Sequence, residues 1–182
     1  VSERIVGITD FCVHPWTLYK SKRRVGGPKD PNLEKIKELS PDLILISKEE
    51  TKKEHYEKLR AIAPTHVSAV TTIEDAKELI LALGALTEAQ KKAKELVSTI
   101  DHELLRFEKP PAYQFRRILC LVWKNPYMAP GPQTYIYNVL HTAGLEPIVF
   151  ASKDSRYPKL TDELISASVV EAVIFPSEPH DF

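Results

Sequence analysis

The 182-residue chain has only two cysteines, one methionine and six glycines, and its charges cancel, with 25 Lys and Arg against 25 Asp and Glu. Each scarcity closes off a class of protein. Cys12 and Cys120 are far apart, apolar in their surroundings and without a CxxC spacing. They build neither a disulfide framework nor a zinc knuckle, and both are expected to be buried thiols. A net charge of zero gives no general attraction to nucleic acid or to an anionic membrane. No apolar run reaches the roughly 18 residues of a membrane-spanning helix. The signatures GxSxG, HExxH, GxGxxG and the P-loop are all missing, and Gly26-Gly27 opens no phosphate-cradling pattern. The chain starts at Val1 without a signal peptide, as expected of a mature secreted form or of a fragment.

What is present is ordinary for a soluble globular protein: 43% hydrophobic and 27% charged residues, in a length that suits one large domain or two small lobes. Residues 4–8 read as a strand, followed by a loop from Asp10 to Pro15 and a turn at 25–27. Asp30-Pro31 reads as a helix start, and Leu33, Ile36 and Leu39 carry a helix over 31–39. The continuous apolar run at 42–47 fits a strand buried on both faces. A polar helix over 51–62 and a strand over 66–70 complete β-α-β-α-β, a small doubly wound lobe. Thr72 caps a helix over 73–83 that Gly84 ends, and Thr87 to Gln90 matches a capping box. That box opens a helix reaching Phe107, with one apolar stripe from Ala89 to Leu104. About twenty residues span roughly 30 Å, enough to bridge two lobes, although an amphipathic helix lying on one domain has the same pattern. After Pro110-Pro111 the pattern restarts: strand 117–123, a helix from Tyr135 to near Gly144, strand 147–150, a helix opened by Thr161, and strand 169–175. Only the architecture is duplicated.

Ligands of open α/β sheets sit beyond the carboxyl ends of the strands. Four loops occupy that place, at residues 9–16, 47–50, 124–134 and 176–182. They hold or adjoin His14 and Trp16, then Trp123, Tyr127 and Met128, then His180 and Phe182, while Tyr157 adds another loop aromatic. Aromatics there suit a large flat ligand, giving contact area at low entropy cost. Each has a plainer reading: His14 as a surface turn residue, Trp123 as a core residue at a strand end. Tyr127, in a turn after Asn125-Pro126, is harder to bury and favours a ligand role. Glu49-Glu50 reads as a solvated helix start rather than an acid–base pair. Asp10, Cys12 and His14 alternate along an extended loop and can ligate a metal, which leaves a metal-dependent enzyme open as an alternative.

Three segments resemble a known superfamily: Gly7-Ile8-Thr9-Asp10 running to His14-Pro15, Val25-Gly26-Gly27-Pro28 running to Glu34, and Leu39-Ser40-Pro41-Asp42 running to Leu45. Trp123-Lys124-Asn125-Pro126-Tyr127-Met128, Thr134-Tyr135 with Gly144, Arg156-Tyr157-Pro158 and Ser177-Glu178-Pro179 follow in the same order. The chain resembles the helical-backbone metal receptors, the class III solute-binding proteins of ABC importers for cobalamin, haem and iron-siderophores. The nearest branch is the cobalamin-binding type. The resemblance implies two small Rossmann-like α/β lobes with mostly parallel sheets. The N-terminal lobe spans 1–86, a linking helix 87–108 and the C-terminal lobe 109–182. It implies a metal-chelate ligand held between the lobes by His14, Trp123, Tyr127 and Tyr157, no resident cofactor, and no enzymatic activity. It also implies docking on ABC permease subunits through Glu54 and Glu163, and a periplasmic or extracellular, membrane-associated location, with a cytoplasmic one left open by the lack of a signal peptide. Family members usually begin with a further strand and helix and end with a further helix, so the chain is expected to be shortened at both ends. A shortened receptor-like interaction protein is therefore a further alternative.

Overall fold

The computed structural model describes residues 2–107, 116–150 and 156–176. The chain divides into two compact units, residues 1–69 and 70–182. The division falls before the helix that starts at Ile73.

In the first unit, a 3-10 turn at Ser2–Arg4 takes the first residue of the expected strand, Ile5 and Val6 lie in no element, and β1 is Gly7–Ile8. Two elements follow that periodicity did not reveal: helix α1, Trp16–Ser21, and strand β2, Arg23–Arg24. Strand β2 pairs in parallel with β1, Gly7 opposite Arg23 and Ile8 opposite Arg24. Two short strands, β3 (Gly26–Gly27) and β4 (Asp30–Pro31), then form an antiparallel ribbon. Gly26 has φ +90°, and a Cβ there would stand 2.7 Å from the Asp30 carbonyl, so the turn requires glycine. Asp30-Pro31 is thus strand rather than helix start. The helix begins two residues later: α2 spans Leu33–Glu38 and is capped by Asn32, whose side chain accepts from the Lys35 N–H at 3.0 Å.

Strand β5 (Ile44–Ser47), helix α3 (Lys53–Arg60) and strand β6 (Thr65–Ser68) form a parallel βαβ unit, registered from Ile44 opposite Thr65 to Ser47 opposite Ser68. The expectation of a strand buried on both faces fails, since Leu45 is 51% exposed. Among the described residues β5 is paired on one edge, by β6, and the strands of the unit pair as three two-stranded sheets. Ile36, Leu59 and Ala63 are its buried apolar side chains.

The second unit opens with a helical hairpin. Helix α4 runs Ile73–Leu86, and its start is a true capping box: Thr72 accepts from the Asp75 N–H, and Asp75 accepts in return from Thr72. The Thr71 hydroxyl, with the Thr71 and Thr72 amides, holds the Asp75 carboxyl down at about 2. Gly84 is not the terminator expected. It lies inside α4 and is buried, and a Cβ there would fall 2.4 Å from the Ala93 Cβ. Nor does Thr87 cap the next helix: its hydroxyl donates back to the Leu83 carbonyl at 2.7 Å, closing α4 instead. Helix α5 runs Gln90–Leu104, 15 residues or roughly 22 Å, and continues as a 3-10 turn at Leu105–Phe107. The glycine contact at one end of the hairpin and the Lys77–Asp101 ion pair at the other, 2.7 Å, make α4 and α5 antiparallel. The expected helix stop at residues 109–111 lies outside the described residues.

The rest of this unit follows the expected order. Strand β7 (Arg117–Cys120) is flanked by β8 (Glu146–Pro147) and β9 (Ala172–Ile174), all parallel. Helices α6 (Tyr135–Thr142) and α7 (Asp162–Ser166) are capped by Thr134 and Thr161. Leu119, Leu121, Ala129 and Leu160 form the core, against Ile148, Phe150, Ile165 and Val170.

The hairpin contact predicts the effect of Gly84→Val. A branched side chain on the Ala93 surface should destabilise the fold by about 1–3 kcal/mol, read from the urea midpoint. An unchanged midpoint would mean that α4 and α5 are not in close contact at that point.

Candidate functional site

The expected site residues fall in both units. In the second, β7 leads directly into the site. Cys120 and Leu121 are buried, and the thiol of Cys120 is pushed up to about 11 by desolvation. From Val122 the chain leaves the sheet but keeps a ladder. Val122 N–H donates to the Met128 carbonyl (2.9 Å), and Met128 N–H to the Trp123 carbonyl (3.1 Å). A third segment joins on the other side: Ala129 N–H to Pro158, Leu160 N–H to Tyr127 and Gly131 N–H to Arg156, at 2.7–3.2 Å. The structure thereby brings Trp123, Tyr127 and Tyr157 into one three-segment backbone ladder beyond the carboxyl end of β7. Core residues fix that ladder, since Ala129 and Leu160 belong to the buried cluster. The aromatics themselves remain accessible, Trp123 40% and Tyr127 37% exposed, with Tyr157 half-buried.

Two further contacts hold the loop. The Arg156 guanidinium donates twice to the Gln133 carbonyl, from Nε at 3.0 Å and Nη2 at 2.7 Å. Thr134 is fully buried, and its hydroxyl donates to the Gly131 carbonyl at 2.7 Å while accepting from the Tyr137 N–H. Sequence reading took Arg156 only as part of a motif and Thr134 only as a family match. Their holding roles were hidden because both act on backbone carbonyls, which leave no pattern in side-chain spacing.

In the first unit, His14 is exposed on the loop that leaves the carboxyl end of β1, one residue before Pro15, the N-cap position of α1. Phe11, 72% exposed, lies against Gly27 and joins the same loop. Asp10, Cys12 and His14 do not converge as a metal site. Among the described residues, no three His, Cys, Asp or Glu side chains are gathered to hold an ion. Asp10 instead lies 4.0 Å from Arg24, and the Cys12 sulfur 3.2 Å from the Thr9 hydroxyl. The alternation expected of an extended strand is lost because the loop turns on itself, with Cys12 N–H on the Thr9 carbonyl and Val13 N–H on that of Phe11. Cys12 is exposed, against the expectation of two buried thiols. Glu50 is paired with Lys29 at 3.8 Å.

The two acids expected to dock a partner are both exposed, each in the first turn of a helix. The Thr161 hydroxyl and the Glu163 amide hold the Glu163 carboxyl below its ordinary range, so it stays charged. Glu54 lies 3.7 Å from His55 Nε2, while His55 Nδ1 is buried with no hydrogen-bond partner. His180 and Phe182 lie outside the described residues.

The strand-end loops of this α/β scaffold thus present accessible aromatics on held backbone. The sequence matches the periplasmic binding protein family over residues 1–178. The chain belongs to that family, one of substrate-binding proteins and not of enzymes. It is 34% identical over 88 residues to the petrobactin-binding protein YclQ of Bacillus subtilis (strain 168), a match covering 47% of this chain and 27% of that protein. The matched segment spans about a quarter of that relative's length. The fold is similar to that of the periplasmic vitamin B12 binding protein BtuF of Vibrio cholerae, with TM-score 0.81 and 20% identity over 94% of this chain and 68% of that one. It is also similar to the periplasmic heme-binding protein BhuT solved with two hemes, with TM-score 0.80 and 19% identity over 96% and 68%. The superfamily and the α/β class expected from the motifs both hold.

Thr134→Val removes the side-chain cap of α6 and the hydroxyl that donates to the buried Gly131 carbonyl, leaving that carbonyl only the Thr134 N–H at 3.1 Å. The expected loss is about 1–3 kcal/mol in the urea midpoint, and no loss would mean that the loop does not depend on this contact.

Proposed function

We propose that this chain is the ligand-capturing part of a substrate-binding protein of an ABC importer, and that its ligand is a metal chelate: a corrinoid, haem or an iron-siderophore. The observation that carries this reading is the ladder that presents Trp123, Tyr127 and Tyr157 together on core-anchored backbone. Membership of the periplasmic binding protein family supports it, as do relatives whose names specify petrobactin, vitamin B12 and heme. In this proposal the chelate is cargo, held for transfer and released unchanged. Trp123 and Tyr127 supply flat contact area and Tyr157 closes on the ligand from the adjoining segment; His14, on the strand-end loop of the first unit, is proposed as a further ligand-binding residue. The cobalamin-type resemblance places corrinoids first among the ligands to test.

The domain plan proposed with this function is a lobe over 1–86, a backbone helix over 87–108 and a lobe over 109–182. The carboxylates of Glu54 and Glu163 stand at helix starts and face solvent, where a basic pocket of the permease can reach them. Such a protein works outside the cytoplasm, at the outer face of a membrane that holds its permease. Among the described residues no helix is long and apolar enough to cross a membrane.

Trp123→Ala and Tyr127→Ala should each weaken chelate binding by about 1–3 kcal/mol through lost stacking area, measured by calorimetry. Glu163→Ala should leave ligand affinity unchanged and reduce co-purification with the permease. Unchanged affinity in both aromatic variants would remove the second-unit ladder from the binding site.

A further inference from the structure

The chain has a single methionine, and it lies in the middle of the second-unit ladder. Met128 forms an antiparallel bridge with Trp123 on one side and with Lys159 on the other. Residues directly opposite in antiparallel segments point to the same face, with Cβ atoms about 4.5–5.5 Å apart. Trp123, Met128 and Lys159 therefore make one row across the ladder. The Met128–Lys159 pair is of the closer kind. Its flanking bonds, Ala129 N–H to Pro158 and Leu160 N–H to Tyr127, are made by the neighbouring residues. Ala129 and Leu160 are 1% and 6% exposed in the core, so alternation turns Met128 and Lys159 away from that core. Burial agrees: Met128 is half-buried, and Trp123 and Lys159 are exposed.

The row sets an oxidisable thioether between an indole and an ammonium. In the reduced form the thioether suits the indole, because its polarisable sulfur favours an aromatic neighbour and adds apolar surface beside Trp123. Oxidation reverses that preference. A sulfoxide is polar and its oxygen accepts hydrogen bonds, so the matching neighbour becomes the Lys159 ammonium, which only donates. Cys120 does not compete for an oxidant, since it is buried and desolvation pushes its thiol up to about 11.

We propose that Met128 is a reversible oxidation site that controls ligand capture on the ladder. The sulfur lone pair attacks one oxygen of hydrogen peroxide. An S–O bond forms, the O–O bond breaks, the sulfur is oxidised by two electrons and the other oxygen leaves as water. The sulfoxide turns to Lys159 and places a polar group on the face that Trp123 offers the ligand, which weakens capture. A thiol-dependent methionine sulfoxide reductase reverses the step, two thiols becoming a disulfide and the oxygen leaving as water. The inference rests on the chelate-binding reading and adds regulation to that same site.

The test uses the full chain carrying Cys12→Ser, which removes the exposed thiol, and Trp16→Phe, which leaves Trp123 as the one indole. Hydrogen peroxide is added and then removed, and mass spectrometry should find one oxygen gained on the Met128 peptide. Calorimetry with cobalamin, haemin and ferric petrobactin should then show the bound probe held about fivefold or more weakly, with affinity restored by the reductase. Without ligand, the Trp123 emission maximum should move to longer wavelength on oxidation. Met128→Leu should give the same affinity and the same emission before and after peroxide. Should the doubly substituted background fail to fold, the native chain read before and after reductase treatment isolates the sulfoxide. An unreactive Met128, or an oxidised Met128 with unchanged affinity, would overturn the proposal and leave the chelate-binding reading standing. No binding of any probe to the unoxidised chain would overturn both, and the ligand-free emission shift would then show only that Met128 and Trp123 share a face.

Discussion

Strand β7 is the constraint on which the second unit depends. Ile118, Leu119 and Cys120 are each 2% exposed, and among the described residues β7 alone is paired on both edges. Burial of that run fixes β8 and β9 in parallel register, and Glu171 closes the strand's start by accepting from the Arg116 and Arg117 amides. Because the chain emerges from the core already ordered, Leu121 and Val122 carry the order outward. The segment at 127–131 hydrogen bonds to that extension, and the segment at 156–160 hydrogen bonds in turn to 127–131. A binding loop needs accessible side chains on immobile backbone, and here the two come from different residues of the same segments. Ala129 and Leu160 face the core while Trp123 and Tyr127 remain exposed.

The first unit is organised differently. Its strands pair two by two, and Leu45 and Val67 stay exposed on β5 and β6. Local devices do more of the positioning there: the Asn32 cap, the Gly26 turn, and the stacked rings with their cations between His14 and Arg24. The loop that carries His14 is thus fixed by the ribbon and by α1 rather than by a deep core.

Long-period patterns were legible in the sequence, and short-range ones often were not. The order of elements after Arg117 could be read because each is an apolar run or a capped helix with turn residues between. Thr72 and Thr161 could be read as caps for the same reason. Helix α1 and strand β2 were invisible because six and two residues establish no period, and because Trp16, Tyr19 and Arg24 hold each other by stacking. Thr87 was misread because a threonine that closes one helix and a threonine that opens the next look alike. Only the direction of its hydroxyl, back to Leu83, separates them. Gly84 misled similarly, since glycine serves both helix ends and close helix approach, and the 2.4 Å clearance to Ala93 exists only in three dimensions. For the site, the residue types on the strand-end loops were readable, while their common ladder was not, because it consists of backbone bonds across more than thirty residues.

The central claim is that strand-end aromatics on this scaffold capture a metal chelate. The most direct measurement is the tryptophan emission of the whole chain during titration with cobalamin, haem and ferric petrobactin, with the ligand's own absorption corrected. The account predicts saturable quenching at one ligand per chain for at least one of them, reduced in Trp123→Phe, where Trp16 is the remaining emitter. Emission that falls only in proportion to added ligand for all three, without saturation, would contradict it.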